Sequence, residues 1–264
     1  MYILKVGGGK NINWDYIAED LKSMKKEVII VHGANAYASI ISGKLGIQEK
    51  FITSPSGHIS RYTDEEAMDL LTMVYSGLVN KKIVSVLQRY DINAVGLTGA
   101  DGKLLRGMRK DTILSKEGDK IKVIRDSKTG NIISVNTKLI NLLVKNGFVP
   151  VITIPAITDD GELINVDNDR LVAQLAKELK VEIIVMLFEA PGLLKDKNKE
   201  LSKIDRIDKN EIDEFIKTTE GRMRKKLLGV KEAFSFGVMK VYFGDGRIKN
   251  PVFNVLSGKG TIIS

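Results

Sequence analysis

Lys5-Val6-Gly7-Gly8-Gly9-Lys10 closes the first apolar run of the chain, and His32-Gly33-Ala34-Asn35 closes the second. The runs themselves, YILKV and EVIIV, are short and nearly unbroken, the signature of strands buried on both faces of a sheet. A helical pattern follows each one, through Leu21 after the first and from about Ala36 after the second, so both glycine stretches are strand-to-helix turns. Glycine at such a turn lets backbone N–H groups approach an anion closely, and the helix N-terminus behind it adds a favourable dipole. Tight turns use glycine for their own sake, so either turn alone is weak evidence. Two of them on successive strands point together to a phosphoryl group. The same rhythm continues through NAVGL, FVPVIT, EIIVMLF and MKVYF. The fold expected is α/β, a mainly parallel open sheet covered by helices on both faces. The stretch from Leu104 to Ile133 breaks the rhythm, and its RGMRK, KIKVIRD and TGN segments suggest β-hairpins forming a basic flap over a site.

The 264 residues suffice for one large domain or two tightly joined lobes, and no Pro/Ser-rich linker or internal repeat separates parts of the chain. Cysteine is absent, so neither disulfides nor thiolate metal ligands are available. Met1 leads into Tyr2 to Val6 with no basic leader and no apolar stretch of signal-peptide or membrane-spanning length, which gives the expectation of a cytoplasmic protein with no membrane partner. Lys and Arg number 41 against 33 Asp and Glu, a formal net charge of +8 that suits a polyanionic partner or simply a solvated lysine-rich surface. Aromatics are sparse, and ribonucleoprotein, zinc-finger and helix-turn-helix patterns are missing, so nucleic acid is not the expected partner. From Thr63, read as an N-cap with Asp64, Glu65 and Glu66 in the first turn, a long helix is expected to reach about Tyr90. Its apolar residues Leu70, Leu71, Met73, Val74, Leu78 and Val79 cover more than one stripe, which fits a broad core contact or a second subunit.

Lys5 is out of place in an apolar strand unless its ammonium meets a partner at the sheet's end, where open α/β sheets bind ligands, or reaches solvent from an edge. Neither GxxxxGK[ST] nor GxGxxG occurs, which removes the P-loop and dinucleotide-binding readings. Asn165-Val166-Asp167-Asn168-Asp169 enters a helical run from Arg170 to Leu179. Asp167 or Asn168 can serve there as a plain N-cap, while Asn165 can bind a substrate and Asp169 can organise lysines or sit near magnesium. Gly221-Arg222-Met223-Arg224-Lys225-Lys226 reads as a solvated basic turn or as an anion clamp. This set of parts suits phosphorylation of a carboxylate. A carboxylate is already ionised at neutral pH and needs no general base, so positioning and charge neutralisation supply most of the catalysis. The scarcity of histidine, two residues in all, is then no handicap.

KVGGG, HGAN, RYTD, GLVNK, AVGLTGADG, NVDND, APGLL and GRMRKK, in that order and spanning the chain from Lys5 onward, resemble the successive signatures of the amino acid kinase superfamily, in its acetylglutamate-kinase branch. The resemblance implies the amino acid kinase fold with its β-hairpin flap, residues 1–170 binding substrate and forming a homodimer on the long helix, and residues 171–264 binding ATP with Mg2+. It implies that Lys5 and Lys226 stabilise the transferring phosphoryl group and that Asp169 organises them. Gly7, Gly8 and Gly33 face the phosphates, and Ala34, Asn35, Arg61 and Asn165 hold the substrate. Within the branch, GHISRYTD, RGMRK, GRMRKK and KNP look most like the kinases that act on 2-aminoadipate or glutamate attached to a small acidic amino-group carrier protein, with Arg106, Arg109 and Lys110 as the basic rim that meets it. Two readings compete: an ordinary N-acetylglutamate kinase, and a catalytically silent amino-acid- or nucleotide-binding regulator. HGAN stands where that branch usually has HGGG, so Ala34 and Asn35 are expected to act through backbone N–H groups. Asp167 replaces a usual asparagine. The first strand starts at Tyr2, which leaves out the N-terminal helix linked to arginine inhibition in some relatives.

Overall fold

Both glycine turns lie side by side at the middle of an eight-stranded sheet. The structure is a computed structural model describing residues 1–55, 57, 59–118, 120–196, 198–219 and 221–264. His58 of GHISRYTD and the side chain of Arg222 lie outside the described residues.

Strand β1 (Tyr2–Val6) feeds α1 (Trp14–Met24), and β2 (Val28–His32) feeds α2 (Asn35–Leu45). A small hairpin of β3 (Phe51–Thr53) and β4 (Ile59–Arg61) precedes a continuous helix from Glu65 to Arg89. That helix comprises α3 (Glu65–Thr72), a π-helical stretch Met73–Val79, and α4 (Asn80–Arg89). After β5 (Ala94–Thr98), β6 (Leu105–Arg109) pairs antiparallel with β9 (Gly130–Val135), and between them projects the hairpin of β7 (Ile113–Glu117) and β8 (Lys120–Ile124). This is the expected flap. Helix α5 (Thr137–Lys145) and β10 (Val149–Thr153) follow, then the short strands β11 (Ala156–Ile157) and β12 (Leu163–Ile164), which join β6 and β9 in a four-stranded sheet. The last part of the chain holds α6 (Asn168–Leu179), β13 (Ile183–Phe188), β14 (Arg206–Ile207), α7 (Ile212–Thr218), α8 (Gly221–Ser235), β15 (Lys240–Asp245), α9 (Pro251–Leu256) and β16 (Thr261–Ile263).

The main sheet runs β14-β16-β15-β13-β1-β2-β10-β5, parallel throughout except where β15 meets β16. Its central strands are buried on both faces, with Ile3, Leu4, Ile29, Ile30, Val151, Ile152, Ile184 and Val185 fully inaccessible. Each such side chain contributes about 1.5–3 kcal/mol when removed from water. The division expected at 170/171 falls within α6, and β1 pairs with β13 on one side and β2 on the other, so a single sheet carries both parts of the chain.

The long helix begins one residue later than expected. Asp64, not Thr63, is its N-cap, accepting from Ala67 N. Thr63 is instead fully buried, its hydroxyl donating to Arg61 O and accepting from Asn165 Nδ2. By length and composition this is the one helix among the described residues that could cross a bilayer, yet Leu70, Leu71, Val74 and Leu87 are buried in the core.

Candidate active site

The C-terminal ends of the parallel strands form the site, as the topology of an open α/β sheet requires. Lys5, next to last in β1, sits between Val31 of β2 and Met186 of β13, and its ammonium lies 2.9 Å from Asp169 Oδ1. It is therefore a central-strand residue with a buried partner, and the edge reading is excluded. Asp169 lies in the first turn of α6, where the helix dipole favours a negative charge. The turn is built by Asp167, the N-cap, whose Oδ1 accepts from Asp169 N and Arg170 N at 2.8 and 3.2 Å. That settles the role of Asp167 in the fold. From α8, Lys226 reaches the same Asp169 oxygen at 3.4 Å.

Two lysines thus share one carboxylate oxygen while all three side chains are 7–14 % exposed. Burial pushes the Asp169 carboxyl up, but Lys5 and Lys226 outweigh it and hold the group well below the usual carboxylate range. Burial and the neighbouring Lys5 push the Lys226 ammonium down to about 8. For Lys5 burial works against the charge, and Asp169 reverses the balance and raises it. One negative charge against two positive leaves a net cation in a low-dielectric pocket, a place built for an added anion. Among the described residues the site has no cluster of three or more acidic or histidine groups for a metal, and Asp169 is already committed to lysines. A Mg2+ ion fits here only as it arrives on nucleotide phosphates, its usual carrier at such sites.

Two residues outside the sequence expectations complete the lysine arrangement. Gly229, one turn beyond Lys226, lets α8 approach α6 closely, since a Cβ there would lie 3.1 Å from Asp169 Cβ. The Lys226 ammonium also lies 5.7 Å from the centre of the Phe188 ring, which meets Phe243 edge-on. Neither is readable from sequence, because glycine inside a helix and an aromatic at a strand end have many other uses.

The two glycine turns pack backbone to backbone. A Cβ on Gly8 would come within 2.5–2.7 Å of Ala34 N, Asn35 N and Gly33 C, and one on Gly33 would come to 3.0 Å from Gly8 N. Ala36 N donates to Gly8 O at 3.0 Å, Gly7 N to Leu187 O at 2.8 Å, and Gly33 N to Val6 O at 3.0 Å. Gly7 and Gly33 thus spend their N–H groups on the sheet. The N–H groups of Gly8, Ala34 and Asn35 stand together without a protein acceptor among the described residues. The Asn35 side chain accepts from Tyr75 Oη at 2.8 Å. Glu189, also unforeseen, lies over Gly9 and accepts from Asn11 N at 2.7 Å.

Arg61 and Asn165 come together through Thr63: Asn165 Nδ2 donates to Thr63 Oγ1 at 3.0 Å, and that hydroxyl donates to Arg61 O at 3.3 Å. The Arg61 guanidinium reaches α2, with Nη2 donating to Ser39 Oγ at 3.3 Å. Its Nη1 pairs with Glu49 Oε1 at 2.5 Å. The flap cations differ among themselves. Arg106 pairs with Asp159 at 2.6 Å on the exposed surface, and Lys110 is exposed. Arg109 instead ties down the base of the flap, donating to Ser127 O and Arg125 O, both at 2.8 Å, and to Glu162 at 3.1 Å.

Comparison with known proteins finds relatives over the length of the chain. Residues 1–245 match the "Amino acid kinase family". Over 267 residues the chain is 42% identical to the "[LysW]-aminoadipate kinase" of Deinococcus radiodurans, covering 100% of this chain and 91% of the relative. It is 34% identical over 267 residues to the "[LysW]-aminoadipate/[LysW]-glutamate kinase" of Sulfolobus acidocaldarius, covering 100% of both. The structure of carbamate kinase from Giardia lamblia has the same fold, with a TM-score of 0.67 at 14% identity over 99% of this chain and 98% of that one.

Proposed function

The chain belongs to the amino acid kinase family, and from that premise we propose that it transfers the γ-phosphoryl group of ATP to the side-chain carboxylate of 2-aminoadipate, and of glutamate, carried on a small acidic amino-group carrier protein in lysine and arginine biosynthesis. The observation that carries the reading is the two-lysine, one-aspartate cluster standing beside paired glycine turns at the strand ends. The carrier and the acceptor come from the full-length likeness to kinases named for LysW-linked aminoadipate.

In this reaction a carboxylate oxygen attacks the γ-phosphorus, the bond to the β-phosphate bridging oxygen breaks, and ADP leaves with the electron pair. No proton has to move. Lys5 and Lys226 neutralise charge on the transferring group and its leaving oxygen, and Asp169 holds the two ammoniums apart and in place. Gly7, Gly8 and Gly33 shape the phosphate cradle, with the Gly8 N–H among its donors. Ala34 and Asn35 offer backbone N–H groups, and Arg61 and Asn165 hold the polar end of the acceptor. Residues up to about 170 form the acceptor side and the remainder the nucleotide side. Magnesium enters on the nucleotide.

Arg106 and Lys110 are the cations placed to meet an acidic carrier, and Arg109 keeps the flap on which they stand. The net charge of +8 supports long-range attraction to such a partner. The protein works in the cytoplasm as a homodimer through the Glu65–Arg89 helix, where Met73 stays 53% exposed on the face turned from the core. The test is acyl phosphate formation, trapped as hydroxamate, from ATP with carrier-linked aminoadipate, carrier-linked glutamate and free N-acetylglutamate. Turnover is expected with the carrier-linked acids, and a preference for free N-acetylglutamate would replace this reading with an ordinary acetylglutamate kinase.

A further inference from the structure

Directly behind the Gly33–Asn35 turn lies a buried polar layer, in which His32 is fully inaccessible and Asn80 is 1% exposed. Asn80 Nδ2 lies 2.9 Å from Val151 O and 3.1 Å from His32 Nε2, and Lys81 Nζ lies 3.2 Å from Asn80 Oδ1. These contacts admit one assignment. An ammonium only donates and a carbonyl only accepts, so the amide oxygen faces Lys81 and the amide nitrogen faces Val151. Asn80 therefore donates its second N–H to His32, Nε2 is an acceptor, and the neutral ring carries its proton on Nδ1. Burial keeps the ring neutral, pushing its pKa down to about 4. The protonated Nδ1 is 3.3 Å from Gly33 O, placed to donate to it.

That contact sets the direction of a backbone donor. The Gly33 carbonyl and the Ala34 N–H belong to one planar trans peptide and point opposite ways. Holding the carbonyl toward His32 turns the Ala34 N–H away from it, to the side where Gly8 packs. A ring carrying its proton on Nε2 would present a lone pair to the Gly33 carbonyl and release the peptide plane.

The π-helical stretch is what brings Asn80 to this place. In an α-helix residues 75 and 80 would stand about 140° apart around the axis. Here the Asn80 N–H bonds Tyr75 O, five residues back, and the wider turn puts both side chains on one face. Tyr75 then binds Asn35 while Asn80 binds His32, so both ends of the same turn are fixed from one helix. We propose that Asn80 is a positioning residue for phosphoryl transfer, acting through the His32 tautomer on the Ala34 N–H, and that the π-helical register exists to deliver Asn80 and Tyr75 together to the second glycine turn. The proposal rests on that turn being part of the active site.

Nitrogen-15 NMR of the whole protein at neutral pH reads the tautomer without any substrate. Protonated Nδ1 is expected at His32, and protonated Nε2 would overturn the proposal whatever the acceptor proves to be. Kinetics with MgATP, and with whichever acceptor yields acyl phosphate, test the consequence. His32→Asn keeps a donor near the Nδ1 position and His32→Leu does not, so kcat should be lower in the leucine variant by about tenfold, the worth of one hydrogen bond. Equal kcat in two variants with native circular dichroism would overturn it. Should the leucine variant fail to fold, the isosteric Asn80→Asp carries the test. Its carboxylate cannot donate to Nε2, so the proton should move to Nε2 and kcat should fall about tenfold with little change in KM for ATP. An unchanged tautomer, or an unchanged kcat with the tautomer switched, refutes the relay.

Discussion

Asp169→Asn keeps the size and shape of the side chain and removes the one negative charge between two buried lysines. At the 3.4 Å separation from Lys226, and with an effective dielectric constant of about 20, that charge is worth about 5 kcal/mol to the ammonium. One pKa unit is about 1.4 kcal/mol, so the loss corresponds to roughly three and a half units. The Lys226 ammonium, already pushed down to about 8 by burial and by Lys5, should fall well below that in the variant and be neutral at physiological pH. Catalysis then loses one of the two cations at the phosphoryl group, and the expected fall in kcat/KM is about 10²–10³. The stability loss is smaller than for an ordinary broken buried pair, because the orphaned lysine can shed its proton. The assay is kcat/KM against pH, which reports the free enzyme. In the parent the rate should decline above pH 8, as Lys226 deprotonates. In the variant the same decline should begin roughly three and a half units lower, and acidification should restore part of the activity. An alkaline limb that stays in place, with the damage confined to melting temperature, would show that Asp169 only caps and packs α6.

Gly8→Ala should cost at least about 10² in kcat with the overall fold intact, because the new Cβ would lie 2.5–2.7 Å from Gly33, Ala34 and Asn35 backbone atoms and would force the two turns apart; near-parental turnover would remove the turns from the chemistry. Burial lowers the His32 pKa from 6.5 to about 4 in the folded protein, so between those values the unfolded chain binds a proton that the folded one does not. Stability should therefore fall by about 3 kcal/mol as pH drops through that window, and denaturant titrations should show this slope in the parent and lose it in His32→Asn. With a carrier-linked acceptor, KM should rise with ionic strength while kcat changes little, since attraction to an acidic partner acts on association. Charge reversal at Arg106 and Lys110 should imitate high salt, and salt-independent kinetics would remove the carrier rim.

The sequence alone determines the parallel sheet, the two glycine turns and the flap, because each of these is written in neighbouring residues: unbroken β-branched runs, glycine at the strand ends, and a charged segment with turn residues that cannot be another crossover. It also singles out Lys5, since an ammonium in an apolar strand demands a partner. Its local pattern does not supply the partner, which only the resemblance to a family names. Lys5, Asp169 and Lys226 are brought together by the order of strands around β1 and by the close packing of α8 on α6, which depends on Gly229 having no side chain. Thr63 looks like an N-cap in one dimension and becomes a bridge between Arg61 and Asn165 in three, because Asp64 takes the capping contact and Thr63 is buried. Arg106 and Arg109 are equivalent cations in the sequence, yet only the fold puts backbone carbonyls around the second and solvent around the first. The π-helical register that aligns Tyr75 with Asn80 leaves no mark in the local sequence, since a helix accepts the extra residue only when contacts with other elements repay the poorer hydrogen-bond geometry. Local order follows from the chain's own periodicity, while the site follows from contacts between residues distant in the chain, such as Lys5 with Asp169 and Gly8 with Ala34, which only the packed sheet can set.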